Sequence, residues 1–292
     1  MIYKILFLIN PVSGISNKQR IKDLIHRRID KSKFDYDVLF TEYAGHGVEL
    51  SETAISENHD AVIVVGGDGS VNEVGSALVN TKVALGIIPT GSGNGLAHHL
   101  KLPFNLARSI ENINKYQISR IDTLEINNHF CVNIAGVGFD AKVALEFSKA
   151  KRRGFWSYFQ IILHEYPKYK ALDYTLTFDN QVVRKNALLV CFANSNQFGN
   201  GVVIAPKASL TDGILDVCIM SKVPLVQAPV LGQVLFLKLI NKTHYVEYIR
   251  TKQIKLSQQQ DQVAHIDGDP IFLGKEIHVK VNPLSLNVIA SS

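Results

Sequence analysis

The sequence predicts an α/β amino-terminal domain built on a doubly wound parallel sheet, followed by a second, mostly antiparallel β domain. Three observations carry this. Apolar strand-like runs alternate with polar helical segments through the first third of the chain. Each of those runs ends in a loop rich in glycine, proline or small polar residues. After about Asp122 the helices thin out, and short strands follow one another across turns such as Asp179-Asn180 and Asp212-Gly213, as in a separate antiparallel unit.

The elements follow in order. Residues 5–9 form a buried-type strand that leads through Asn10-Pro11-Val12-Ser13-Gly14 into a Lys/Arg-rich helix over about 17–30. Residues 38–40 form a second strand, which turns at Thr41-Glu42-Tyr43-Ala44-Gly45 into a helix ending near Ser56. Residues 61–65 are the third strand. Residues 83–88 are the fourth, and feed Pro89-Thr90-Gly91-Ser92-Gly93-Asn94-Gly95 and a short helix over 96–99. Uninterrupted apolar strands need a sheet covered on both faces. Ligands of such sheets bind outside the carboxyl ends of the strands, where all four special loops lie. Further on, strands are expected over 123–126, 130–135, 174–178, 181–193, 215–220, 254–256 and 271–273, and helices over 141–169 and 225–240. The expected domains are 1–125 and 126–274, with the tail 275–292 free to return to the first.

A length of 292 residues suits about two domains. A hydrophobic share of 46% and a charged share of 20% describe a globular protein with ample core, and the net charge of +5 favours anionic partners. Cys131, Cys191 and Cys218 are far apart and lie in apolar runs. They support neither a disulfide framework nor a zinc knuckle, and fit a reducing cytosol. The apolar start is too short, before Asn10-Pro11, for a signal peptide. The longest apolar tract, 223–240, is interrupted by Pro224, Gln227, Pro229, Gln233 and Lys238. It reads as a buried or interfacial helix rather than a membrane span. No two histidines are spaced as zinc ligands on a helix.

The segment 61–75 is the most informative. A strand stops at Gly66-Gly67-Asp68-Gly69, and a helix begins with Ser70-Val71-Asn72-Glu73. Glycines let the main chain approach a bulky anion, and the helix N-terminus supplies N–H groups to phosphate oxygens. A carboxylate inside such a loop calls for a cation between it and the phosphate. Ser70-x-x-Glu73 also fits a capping box, so an ordinary strand-to-helix turn stays open. The loop 89–95 offers three glycines between small hydrogen-bonding residues, another phosphate cradle, but without the lysine of a P-loop. Gly136-Val137-Gly138-Phe139-Asp140-Ala141 fits a dinucleotide fingerprint in form, yet sits in the antiparallel part with no acidic partner at the right place. His265-Ile266-Asp267-Gly268-Asp269-Pro270 is either a hairpin turn or a pair of carboxylates able to take a proton. Residues 149–170 mix Lys151, Arg152 and Arg153 with Phe155, Trp156, Tyr158 and Phe159. They suit an anionic membrane surface or a core-packed helix with a solvated basic start; nothing else supports nucleic acid.

In order, Asn-Pro-x-Ser-Gly, Gly-Gly-Asp-Gly-Ser-x-Asn-Glu, Pro-Thr-Gly-Ser-Gly-Asn, Asn-x-Ala-Gly-x-Gly-Phe-Asp-Ala and Asp-Gly-Asp run from Asn10 to Asp269. Together they resemble the diacylglycerol kinase catalytic family, which includes bacterial lipid kinases and the sphingosine and ceramide kinases. The resemblance implies an NAD-kinase/diacylglycerol-kinase-like α/β domain plus a β-sandwich second domain. It implies ATP as phosphoryl donor, Mg²⁺, and a lipid hydroxyl as acceptor. ATP would be bound by Asn10, Pro11, Val12, Ser13, Gly14, Thr41, Gly66, Gly67, Asp68, Gly69, Ser70, Val71, Asn72, Glu73, Ser92, Gly93 and Asn94. Asp68, Asp122 and Asp267 would hold the catalytic magnesium through water. Ser209, Asp212 and Ile214 would hold a structural magnesium, the first and last through carbonyls. Asp269 stands where the family has a proton-accepting glutamate, a difference of about 1.5 Å in reach, so the base is Asp269 or Asp267. The third loop departs as well, with Gly95-Leu96-Ala97-His98-His99 in place of Asp-Phe-Ala-Arg. The expected setting is cytoplasmic, peripheral to the inner membrane face, with a homodimer allowed. Two alternatives stay open: an NAD-kinase-like enzyme with a soluble acceptor, and a non-catalytic lipid- or nucleotide-binding regulator.

Overall fold

The computed structural model describes residues 2–13, 18–150, 154–199, 201–224, 226, 243–261 and 263–290. Gly14, the basic residues 151–153 and most of the expected helix over 225–240 lie outside the described residues. The chain forms two units, one of residues 1–122 with 284–292 and one of residues 123–283.

The first unit is a βα repeat: β1 (Tyr3–Ile9), α1 (Lys18–Arg28), β2 (Phe34–Phe40), α2 (His46–Ser56), β3 (Ala61–Gly66), α3 (Asp68–Leu78), β4 (Ala84–Pro89), α4 (Gly95–His99) and α5 (Leu106–Lys115). Its strands run parallel in the order β2-β1-β3-β4. β3 and β4 are buried along their whole length, as a sheet covered on both faces requires. Ile5, Phe7, Ile9, Ile63 and Val65 pack with Ile21 and Ile25 of α1 and Ile110 and Ile113 of α5, while α3 lies along β3 and β4. The returning tail adds one more parallel strand, Val288 standing opposite Leu85. The sequence missed α5, whose amino end is capped by Asn105, its side chain accepting from the Arg108 N–H.

β5 (Ile118–Ile126) and β16 (Glu276–Ile289) are the strands through which the chain passes between units. The second unit adds β6 (His129–Cys131), β7 (Ile134–Gly138), α6 (Phe139–Lys149), α7 (Phe155–Glu165), β8 (Leu172–Phe178), β9 (Gln181–Ala187), β10 (Leu189–Ala193), β11 (Leu215–Met220), β12 (Val246–Thr251), β13 (Gln253–Gln258), β14 (Val263–Ile266) and β15 (Asp269–Phe272). It is an antiparallel sandwich. One sheet has the order β12-β11-β10-β7-β14-β15, and the other runs β16-β13-β8-β9. Val190, Phe192, Val217, Val137 and Ala264 meet Tyr174, Leu176, Ile254, Leu256 and Val279 between the sheets. The alternate residues Leu189, Cys191, Ala193 and Cys218 face outward and are covered by Phe139 and Val143 of α6 and by Tyr158, Ile161 and Ile162 of α7. Period-two alternation thus feeds two cores from one sheet.

Several expected boundaries move. The single strand over 181–193 is two strands in different sheets, and the helix over 141–169 is two helices with Gly154, at φ 141°, opening the second. The turn Asp179-Asn180 is a tight hairpin with both residues at positive φ, 45° and 61°, the geometry that matches strand twist. Among the described residues no helix is long and apolar enough to cross a membrane.

Candidate active site

The carboxyl ends of β1, β3 and β4 are tied together by side chains from three loops. Asn10 Nδ2 donates to Ser70 Oγ at 2.8 Å, and Ser13 Oγ and Thr90 Oγ1 lie 2.9 Å apart. The Asp68 carboxylate reaches the loop after β4: Oδ2 accepts the Asn94 N–H at 2.7 Å and Oδ1 the Gly95 N–H at 2.8 Å. Asn94 closes that loop on itself, its Oδ1 accepting from Gly91 N at 3.1 Å and its Nδ2 donating to Gly91 O at 2.6 Å. Two glycines make the approach possible. A Cβ on Gly91 would stand 2.5 Å from the Gly67 Cα, and one on Gly93 would stand 2.7 Å from Asp68 Oδ2.

The expected capping box is not formed. α3 begins at Asp68, two residues earlier, with Gly67 in extended conformation as N-cap and no side-chain cap. Ser70 and Glu73 are therefore inside the helix and free for other partners: Ser70 takes Asn10, and Glu73 Oε1 accepts the Gly45 N–H at 3.0 Å. Thr41 follows β2, its N–H donating to Ile9 O at 3.0 Å. The first-unit residues expected at a nucleotide thus line one edge of the sheet, as the strand-end rule requires. Gly14 lies outside the described residues.

Asp122 and Asp267 are placed differently from Asp68. Asp122, on β5, is 1% exposed, and its Oδ1 accepts the Leu284 N–H at 2.7 Å. Asp267 starts the hairpin between β14 and β15 at φ 52°, so the hairpin reading of Asp-Gly is correct. Its carboxylate is nonetheless a hub. Oδ1 accepts from Asn133 N at 2.8 Å, Ile134 N at 3.1 Å and Cys131 Sγ at 3.2 Å, and Oδ2 from Val132 N at 3.0 Å. Burial, with Asp267 beside it, holds the Cys131 thiol well above its ordinary range, so it stays protonated and donates. Asp269, two residues on, is exposed. Of the pair, Asp267 is the buried anchor and Asp269 the carboxylate in reach of solvent.

Sequence reasoning missed what this hub implies for its neighbours. Asn133, from the Asn-x-Ala-Gly motif, also bonds Ser195 Oγ through its side chain, and its carbonyl accepts the Asn194 and Ser195 N–H groups. Gly136 and Asp140 are not a dinucleotide loop. Asp140 Oδ2 lies 3.0 Å from Cys191 Sγ and 3.1 Å from His265 Nε2, and a Cβ on Gly136 would come within 2.3 Å of that oxygen. Glycine here gives room for a buried Asp–His contact, a signal present in the motif but invisible without the sheet register that sets His265 opposite Gly136.

The residues suit a divalent cation held through water near Asp68. Each of its oxygens accepts one main-chain N–H, and an ionised carboxylate has about four acceptor sites in all. Among the described residues no three His, Cys, Asp or Glu side chains converge to bind a metal directly. The turn at Ser209, Asp212 and Ile214 suits one less. Asp212 Oδ1 accepts the Ile214 N–H at 3.1 Å, and Oδ2 lies 2.5 Å from the Arg250 guanidinium.

Two family models match this chain. The diacylglycerol kinase catalytic domain covers residues 4–126, and the YegS C-terminal NAD kinase beta sandwich-like domain covers residues 133–290. The second model matches more than half of the chain, which belongs to that YegS-type family and carries a diacylglycerol kinase catalytic domain match ahead of it. It is a kinase. A diacylglycerol kinase of Staphylococcus saprophyticus is 29% identical over 285 residues, covering 93% of this chain and 92% of that protein. One from Staphylococcus aureus is 29% identical over 286 residues, covering 93% of this chain and 90% of that protein. The crystal structure of a diacylglycerol kinase from Bacillus anthracis superposes with a TM-score of 0.78 at 21% identity, over 99% of this chain and 97% of that one. It shares this fold, an α/β domain with a mostly parallel sheet and an antiparallel β-sandwich.

Proposed function

We propose that this family member is an ATP- and Mg²⁺-dependent lipid kinase that moves the γ-phosphate of ATP to the hydroxyl of a lipid such as diacylglycerol or a sphingoid base. The observation that carries the reading is the interlock of three phosphate-type loops through Asn10–Ser70, Ser13–Thr90 and Asp68–Asn94/Gly95. Phosphoryl transfer depends on positioning and charge neutralisation more than on covalent chemistry, and such loops supply positioning. Main-chain N–H groups of the glycine loops would hold the phosphates, with Asn10, Ser13 and Thr41 orienting the nucleotide. Asp68 would hold Mg²⁺ through water, and the ion would neutralise charge on the phosphates. Asp269 would accept the lipid hydroxyl's proton as its oxygen bonds the γ-phosphorus and the bond to ADP breaks. Label from [γ-³²P]ATP should appear in an organic-phase product and vanish when Mg²⁺ is chelated; label confined to a water-soluble acceptor would overturn the proposal.

A lipid acceptor asks for contact with a bilayer, and α7 offers a surface for it. Tyr158, Ile161, Ile162 and Tyr166 pack inward, while Trp156 (73% exposed), Phe159 (40%) and Leu163 (59%) form an outward stripe at helical spacing. Lys149 precedes the helix, and Lys168 and Lys170 follow it. An apolar stripe flanked by lysines fits an anionic membrane surface. Trp156 is the only tryptophan, so its emission should shift to the blue on vesicles containing phosphatidylglycerol and stay put on neutral ones. An unchanged spectrum on both would remove α7 from the membrane contact.

A further inference from the structure

The loop after β2 carries an exposed aromatic stack that none of the phosphate contacts uses. The rings of Tyr43 and His46 lie parallel, 7° between planes and 4.6 Å between centroids. Each ring is fixed by a hydrogen bond: Tyr43 OH donates to Glu49 Oε2 at 2.7 Å, and His46 Nδ1 accepts the Glu42 N–H at 3.1 Å. His46 covers one face of the Tyr43 ring, yet Tyr43 stays 53% exposed. A large aromatic held rigid and wet has its apolar surface available to a planar partner.

The stack is joined to the nucleotide loops. Gly45, between the two rings in sequence and at φ 90°, donates its N–H to Glu73 Oε1 at 3.0 Å. A Cβ on Gly47 would stand 2.8 Å from Glu73 Oε2, so the loop presses on α3. Glu73 is five residues beyond Asp68, about 7.5 Å along the helix axis from the end that carries it. Glu42 and Glu49 flank the stack. They repel phosphate and can accept from an exocyclic amine, so the group that suits this place is a base rather than a phosphate.

We infer that Tyr43, backed by His46, is the stacking platform for the purine base of the nucleotide, a subsite that sets donor specificity. The inference rests on the nucleotide reading above. It predicts that Tyr43→Ala weakens Mg²⁺-ATP binding by about 10-fold, the scale of one lost base stack, and affects CTP less. Inorganic tripolyphosphate, which has no base, should bind the variant as it binds the wild type, and Tyr43→Phe should keep ATP affinity within about twofold because the ring remains. Calorimetric titration of the full chain with the three ligands checks this. ATP binding unchanged in Tyr43→Ala, or tripolyphosphate weakened in the same proportion, would overturn the subsite. Wild type that binds tripolyphosphate as tightly as ATP would overturn it too, while leaving the phosphate loops in place. Wild type that binds neither would remove the nucleotide reading and the subsite with it.

Discussion

Asp68→Asn is expected to lower phosphoryl transfer by about 10³-fold, the scale on which a charge-neutralising element acts in this chemistry. The rate effect follows from the lost charge, and a stability effect follows from the two hydrogen bonds of the carboxylate. Each oxygen accepts one main-chain N–H, from Asn94 and from Gly95. An asparagine has a single acceptor oxygen, so its amide would point a donor at the second N–H. Losing that charge-assisted bond costs about 1.5–3 kcal/mol. The melting temperature of the variant should fall by about 5 °C, and the loop 91–95 should lose its tie to α3. Turnover in mixed micelles and scanning calorimetry measure the two effects separately. Full activity in this variant would sink the proposed role of Asp68.

The second large effect separates the two carboxylates of the hairpin. Asp267→Ala removes an acceptor that serves three main-chain N–H groups and one thiol in a buried place. Orphaning those donors costs about 3–5 kcal/mol, and alanine at a φ of 52° adds strain that aspartate tolerates better. The second unit should lose much of its stability, whatever the substrate. Asp269 is exposed, so Asp269→Ala should change stability by no more than about 0.5 kcal/mol while lowering kcat by roughly 10²- to 10⁴-fold as the proton acceptor goes. Asp267→Asn, which keeps one oxygen and suits positive φ, should fall between wild type and alanine in stability. A wild-type melting temperature for Asp267→Ala contradicts the anchor, and a wild-type kcat for Asp269→Ala moves the base elsewhere.

The first unit was legible because its strands are unbroken apolar runs and each ends in a loop with its own chemistry. Residues 61–66 can be little but a covered parallel strand, and the glycines after it mark an edge where main chains approach closely. The start of α3 was misread because Ser70 and Glu73 match a capping signature locally, while their partners, Asn10 and Gly45, are distant in sequence. Local patterns carry no information about which loop folds beside which. In the sandwich the same limit appears as register. That the run over 181–193 changes sheets at Leu188, and that His265 faces Asp140 across Gly136, both depend on pairings set by the whole sheet. α7 shows why its two readings could not be separated in advance: apolar residues cover both its inner and its outer face, so no amphipathic period marks the side that meets solvent.

The proposed reaction moves a phosphoryl group from ATP to a lipid. The direct measurement follows labelled γ-phosphate from ATP into a panel held in mixed micelles: diacylglycerol, monoacylglycerol, a sphingoid base, phosphatidylglycerol and a long-chain polyprenyl alcohol, with NAD present as a soluble competitor. For that reaction, label is expected in one lipid product, dependent on Mg²⁺ and lost in Asp68→Asn. Labelled NADP with no labelled lipid, or bound ATP with no product at all, would contradict it.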